Sequence, residues 1–330
     1  MPRLRLTKSA LKWSAIGLLA AVAAGVVIAH PPPQLLVSPF GSDEDAGARP
    51  ATALAGAFGA SGQVRLQLRM PGELFEFPVD VEVRADNVSY AWVRAEDSTA
   101  VVPSRALAGT TVAAPERPGF YRLQVDRPDG IRIVDSVIVG VLVPFSEKIG
   151  ATLNGYRIGT YGFERAHGDA TPPPRGFVEV FAENAELPVS THFRIADFLT
   201  HDGQARWPRY VALDPRILDK VELVLAHLGV RDHQLSIGVN SGFRTPLHNQ
   251  RVPRAASDSR HQYGDAADLA IDADGDGKVT YLDGLAVARA VELVERDYPG
   301  LVGGLGLYGN RGTAAYVHID VRGKRSRWSG

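Results

Sequence analysis

Residues 260–284 read RHQYGDAADLAIDADGDGKVTYLDG, and the two halves of this stretch carry different patterns. In ADLAID, Ala267, Leu269 and Ile271 fall on one face of an extended strand and Asp268 and Asp272 on the other, because side chains alternate across a strand. The run that follows is dense in aspartate and glycine. Carboxylates this close repel one another unless a cation or water neutralises them, so the run is either a metal site or a solvated turn. As a calcium loop it places Asp272, Asp274 and Asp276 at positions 1, 3 and 5, Gly277 at the sharp turn and Lys278 at the position that offers a backbone carbonyl. Thr280 takes position 9, and Asp283 stands where the bidentate glutamate is usual. The shorter Asp283 resembles the last ligand of dockerin-like loops.

Outward from this stretch, YVHIDV (Tyr316–Val321) repeats the strand pattern, with Val317, Ile319 and Val321 facing inward and Tyr316, His318 and Asp320 on the opposite face. LAVARAVELVERD (Leu285–Asp297) lies between the two strands with helical periodicity. Upstream, Asp214-Pro215 followed by Leu218, Val221, Leu225, Leu228 and Gly229 has a capping aspartate, a first-turn proline, an apolar face and a terminal glycine, the marks of a second helix. SIGVNSGFRTP (Ser236–Pro246) is a strand entering a turn. Strands and helices in this order give an α+β domain over residues 150–330.

Before it, VRLQLRM (64–70), FPVDVEVRA (77–85), FYRLQVD (120–126) and SVIVGVLVP (136–144) are strand-length segments between Pro/Gly turns, which suggests a small all-β, sandwich-like domain over 62–146. Residues 31–61, rich in Pro, Ala, Gly and Ser, suit a flexible linker. At the N-terminus, Arg3, Arg5, Lys8 and Lys12 precede an uncharged run from Trp13 to Ala29. Residues 1–30 therefore read as an export signal, either cleaved or kept as an anchor in the inner membrane. Both readings put the rest of the chain in the periplasm or outside the cytoplasm.

Composition narrows the chemistry. The 330 residues have a formal net charge of −1 and no basic stripe interleaved with aromatics, so nucleic acid is not an expected partner. With no cysteine in the chain, thiolate zinc sites, disulfides and a cysteine nucleophile are excluded, and any transition metal must be held by histidine and carboxylate.

SRHQYGDAAD fits S-x-H-x-x-G-x-A-x-D through Ser259, His261, Gly264, Ala266 and Asp268. Together with SGFRTPLHN upstream and YVHIDVRG followed by RW downstream, it resembles the zinc D-alanyl-D-alanine carboxypeptidase and murein endopeptidase family, in particular its periplasmic murein-endopeptidase branch. The resemblance spans about Gly155 to Trp328. It implies a LAS-type fold with a central antiparallel sheet and flanking helices, and zinc held by His261, Asp268 and His318. Two imidazoles and one carboxylate leave an open position for water, as a catalytic zinc requires. Arg244 resembles the family's arginine beside the metal, where a guanidinium can hold a substrate carboxylate or a developing oxyanion.

The general base departs from the family pattern. Related enzymes carry Glu or Asp three residues before the last zinc histidine, or His two before it, and this chain has Ala315 and Tyr316 there. Asp320 shares the strand face of His318 and is the candidate for base or for orienter of that histidine. His248 could support a ligand or meet substrate, but a structural hydrogen-bonding role is the expectation. The resulting expectation is a zinc peptidase acting on peptidoglycan stem or cross-link peptides, with calcium as structural support. The alternative is a metal-containing cell-wall-binding protein without catalysis.

Overall fold

The computed structural model describes residues 48–49, 65–77, 80–81, 88–99, 101, 103–108, 111–128, 130–165, 171–229, 236–309 and 315–330. The expected signal or anchor (1–30) lies outside these residues, as does nearly all of the expected linker (31–61). Among the described residues no helix is long and apolar enough to cross a membrane. Within the stretch expected as a linker, Ala48–Arg49 pairs antiparallel with Asp80–Val81.

The first sheet has five strands: β1 (Arg65–Arg69), β2 (Ser89–Arg94), β3 (Arg105–Ala106), β4 (Gly119–Arg127) and β5 (Gly130–Val141), in the order β1-β5-β4-β2-β3. β4 and β5 form a long hairpin, and β1 joins β5 in parallel. Period-2 alternation sends Tyr90, Trp92, Tyr121, Leu123, Val125, Val137 and Val139 to one face. There they pack in one cluster with Phe75 and Val112, which belong to the paired strands Leu74–Glu76 and Thr111–Ala113. The opposite face offers Leu66, Phe120 and Ile138, and these join the core of the C-terminal half. The apolar core is therefore continuous across residues 146–150.

The second sheet holds β6 (Ile237–Ser241), β7 (Ala266–Ile271), β8 (Gly304–Tyr308), β9 (Tyr316–Asp320) and β10 (Ser326–Ser329), in the order β6-β7-β9-β8-β10. Its pairs are antiparallel except β8 with β10, a parallel edge that the expected antiparallel sheet did not include. Helices α1 (Pro215–His227) and α2 (Tyr281–Asp297) pack on each other, and α2 contacts β7, β8 and β9. Asp214 caps α1 by accepting from the Arg216 amide, and Pro215 occupies the first turn, where its missing N–H costs nothing. Val287, Ala290, Val291 and Val294 of α2 share a buried core with Leu269, Ile271, Val317 and Ile319. The alternation that buries those residues puts Asp268, His318 and Asp320 on the other face of the sheet. This is the α+β architecture expected of the domain.

Candidate metal centre

His261 sits in a single 3-10 turn, Arg260–Tyr263, which ends at Gly264 with φ of 75°. A side chain at position 264 would be strained by that left-handed φ, and its Cβ would lie 2.0 Å from the Ala212 carbonyl oxygen. The glycine of the motif is thus what lets the chain reverse tightly and enter β7. Antiparallel register then sets Asp268 directly opposite His318. Before β7, the register shift between Val239 and Ser241 on β6 brings Ser241 opposite Asp268, a strand irregularity of the kind common beside functional sites.

His261 Nε2 lies 3.1 Å from Asp268 Oδ1, His318 Nδ1 lies 2.9 Å from the same oxygen, and the two nitrogens are 3.1 Å apart. The other nitrogen of each ring fixes its tautomer. His261 Nδ1 donates to the Gly242 carbonyl at 2.7 Å, and His318 Nε2 donates to Asp320 Oδ2 at 3.2 Å. Neutral imidazoles in these tautomers point two lone pairs and one carboxylate oxygen at a common point. A proton bridges only one pair among three such atoms, whereas one divalent cation satisfies all three. Donors about 2.0–2.1 Å from a tetrahedral zinc are separated by about 3.3 Å, close to the distances here. The donor set therefore fits zinc.

All three ligand side chains are buried. Burial lowers the pKa of His261. At His318 burial acts the same way, but Asp268 and Asp320 outweigh it and hold the imidazole above its usual range. Burial would raise the Asp268 carboxyl, and its hydrogen bonds with His261 and His318 reverse this, so it is held well below the carboxylate range.

Arg244 reaches the same carboxylate from the turn after β6. Its Nη2 donates to Asp268 Oδ2 at 2.5 Å and its Nε to Ser241 Oγ at 2.7 Å, which fixes the guanidinium plane and leaves Nη1 without a hydrogen-bond partner among the described residues. The backbone of that turn is tied to the histidine turn by Arg244 N–H to His261 O at 3.0 Å.

Asp320 is fully buried and its carboxylate is filled. Oδ1 accepts from the Gly304 amide at 2.7 Å and from the Arg322 amide and Nε; Oδ2 accepts from His318 and from the Arg322 guanidinium. Of the two roles expected for Asp320, general base or orienter of His318, these filled oxygens favour the second. The backbone amide of His248 donates to Thr245 Oγ1 at 3.1 Å, and among the described residues its ring has no hydrogen-bond partner.

In the aspartate loop, carboxylate oxygens of Asp272, Asp274 and Asp276 lie within 4.8 Å of one another. Asp283 does not join them. Its two oxygens accept from the amides of Ala273, Asp274 and Thr280 and from the Thr280 hydroxyl, so Asp283 and Thr280 form the N-terminal cap of α2. Of the carboxylates expected around calcium, three thus come together and the fourth, Asp283, caps the helix.

Three further residues at the centre went unassigned from sequence. Arg322 clamps Asp320, Ser241 anchors Arg244, and the Trp328 ring lies 5.2 Å from that of His318. The RG and RW after the last histidine were the available signal for Arg322 and Trp328. Nothing in the local pattern around Ser241 announces the irregularity that aims it.

Residues 191–291 match a family model described as Peptidase M15, and no curated protein matches the chain. The matched segment carries Arg244, His261 and Asp268, and the sheet adds His318 from beyond its end. The match supports a metal-dependent peptidase of the M15 kind.

Proposed function

We propose that this chain is a zinc-dependent peptidase that hydrolyses peptide bonds in the stem or cross-link peptides of peptidoglycan. The supporting observation is the convergence of His261 Nε2, His318 Nδ1 and Asp268 Oδ1, each aimed by a hydrogen bond or register that leaves its lone pair facing the others. Zinc, when bound, supplies a Lewis acid and a water of lowered pKa. The residues of the chain do the remainder. His261, Asp268 and His318 hold the ion, Gly242 and Asp320 keep both imidazoles in the ligating tautomer, and Arg244 presents Nη1 to an anionic group of the substrate. The reading extends to an exported protein, consistent with the basic, then apolar, N-terminus, and to calcium at Asp272, Asp274 and Asp276, supported by the close approach of those carboxylates.

The sealed carboxylate of Asp320 favours a second reading, a protein that keeps the metal and binds the cell wall without cutting it. Incubating the zinc-loaded full chain with purified sacculi separates the two. The first reading expects new amino and carboxyl termini in the released peptides by mass spectrometry, abolished by chelation and restored by zinc. Sacculus binding with no new termini at any zinc level contradicts it.

A further inference from the structure

Around the three converging ligand atoms, most polar groups already have partners. Both oxygens of Asp320 are filled, Asp268 Oδ2 accepts from Arg244, and Trp328 Nε1 donates to the Tyr308 hydroxyl at 2.7 Å. Among the donors there that have no hydrogen-bond acceptor among the described residues are Arg244 Nη1 and the hydroxyl of Tyr316. A half-buried tyrosine usually finds a partner for its hydroxyl, and among the described residues this one has none, which leaves the donor open to a ligand.

Its position is set by the sheet. Tyr316 stands two residues before His318 on the same face of β9, diagonal to Asp268, which pairs with His318. Diagonal positions of this kind are about 7–8 Å apart, within reach of an aromatic side chain. Burial raises the pKa of the phenol, and the charges of Asp268 and Arg244 act on it in opposite directions. The ring is also held. It stacks on Tyr308 with centroids 4.6 Å apart and planes 7° apart, and Tyr308 is tied in turn to Trp328. Trp328 can lie there because position 306, opposite His318, is glycine: a Cβ would come within 2.3 Å of the indole nitrogen. A donor fixed in this way needs little reorganisation when charge develops in front of it.

We propose that the Tyr316 hydroxyl completes an oxyanion-binding pair with Arg244 Nη1. Both donate hydrogen bonds to the substrate carbonyl oxygen as water adds to the carbonyl carbon and negative charge collects on that oxygen. Neither gives up its proton: the water oxygen forms the C–O bond, and one of its protons passes by way of solvent to the leaving nitrogen as the C–N bond breaks, giving a carboxylic acid and an amine with the two donors unchanged. The assignment rests on the peptidase reading of this site and adds Tyr316 to it as a catalytic residue.

Tyr316→Phe removes the hydroxyl and keeps the stack on Tyr308. In the zinc-loaded full chain acting on a muropeptide, kcat is expected to fall about 10- to 100-fold, because the lost donor faces charge that exists only in the transition state. KM, zinc stoichiometry and melting temperature are expected to stay at their wild-type values. Affinity for a phosphinate dipeptide isostere, whose tetrahedral anion stands in for the oxyanion, should fall by a similar factor in calorimetry. Wild-type kcat and phosphinate affinity in the variant overturn the assignment, as does a raised KM with kcat unchanged, and both leave the peptidase reading standing. A wild-type protein that neither cleaves muropeptides nor binds the phosphinate overturns the peptidase reading itself.

Discussion

Asp268 and Asp320 are both buried aspartates in contact with His318, and their partners give them opposite tasks. Asp268 keeps one oxygen turned toward two imidazole nitrogens, whereas Asp320 has every oxygen answered by a donor from its own strand, from β8 or from Arg322. A group that only orients a ligand affects metal affinity before it affects chemistry. Asp320→Asn is therefore expected to weaken zinc binding by about 10- to 100-fold while kcat at saturating zinc stays within an order of magnitude of wild type. Metal competition assays and turnover on the same sample check this, and a collapse of kcat with unchanged zinc affinity would restore Asp320 as the base.

The protonation of His318 gives a second expectation at this scale. Its folded pKa is raised in the metal-free protein, so the imidazolium persists to higher pH than an ordinary imidazole near 6.5. Zinc requires the neutral ring, and a proton competes for the same nitrogen. Zinc affinity should thus begin to decline, as pH is lowered, above the pH where a free imidazole would titrate. His261, lowered by burial, adds no competition in that window. Zinc titrations across pH 5–8 that show a flat affinity would contradict the expected proton uptake at His318. The three residues that converge were legible in sequence through the resemblance of their motifs to the zinc peptidase family, and strand alternation marks Asp268 and His318 besides, whereas His261 lies in a turn. The state of Asp320 was not, since it depends on Gly304 and Arg322 filling the carboxylate, and alternation assigns a face without saying what covers it.

The loop from Asp272 to Asp283 shows the same limit for an element. Positions 1, 3 and 5 meet as the calcium pattern implies, but position 12 caps α2, a use that the capping pattern of Thr280 and Asp283 also encodes. Helix capping and calcium ligation thus make separable predictions. Asp283→Ala orphans the donors it accepts from and should cost about 1–3 kcal/mol in chemical denaturation with or without calcium. Asp276→Ala leaves the cap intact, so it should lower calcium affinity in calorimetry with little loss of stability in calcium-free buffer. Equal calcium binding by wild type and Asp276→Ala would remove calcium from the account. Strand β2 escaped notice for a related reason. Ala91 and Val93 are buried as fully as Tyr90 and Trp92, so SYAWVR has apolar residues on both faces and no alternation to detect.

Across the whole molecule, the two sheets share one apolar core through Leu66, Phe120 and Ile138. Strand and helix patterns identified the segments on either side of residues 146–150 but carried no sign of this contact, because a strand's apolar face does not name the surface that covers it. Phe120, fully buried at this junction, should be expensive to truncate. Phe120→Ala is expected to cost about 3–5 kcal/mol. It should also lower the unfolding temperature of the zinc-bearing half, read as amide exchange in β7 and β9. Loss confined to the first sheet would show that the halves are energetically independent.

Zinc-dependent hydrolysis by this chain requires His261, Asp268 and His318 to form one metal centre. Zinc K-edge absorption spectroscopy on the zinc-loaded full chain tests that directly. It should find one zinc per chain with nitrogen and oxygen neighbours at about 2.0–2.1 Å and the outer-shell signature of imidazole, lost in His318→Ala. Substoichiometric zinc, or a spectrum unchanged by that substitution, would contradict it.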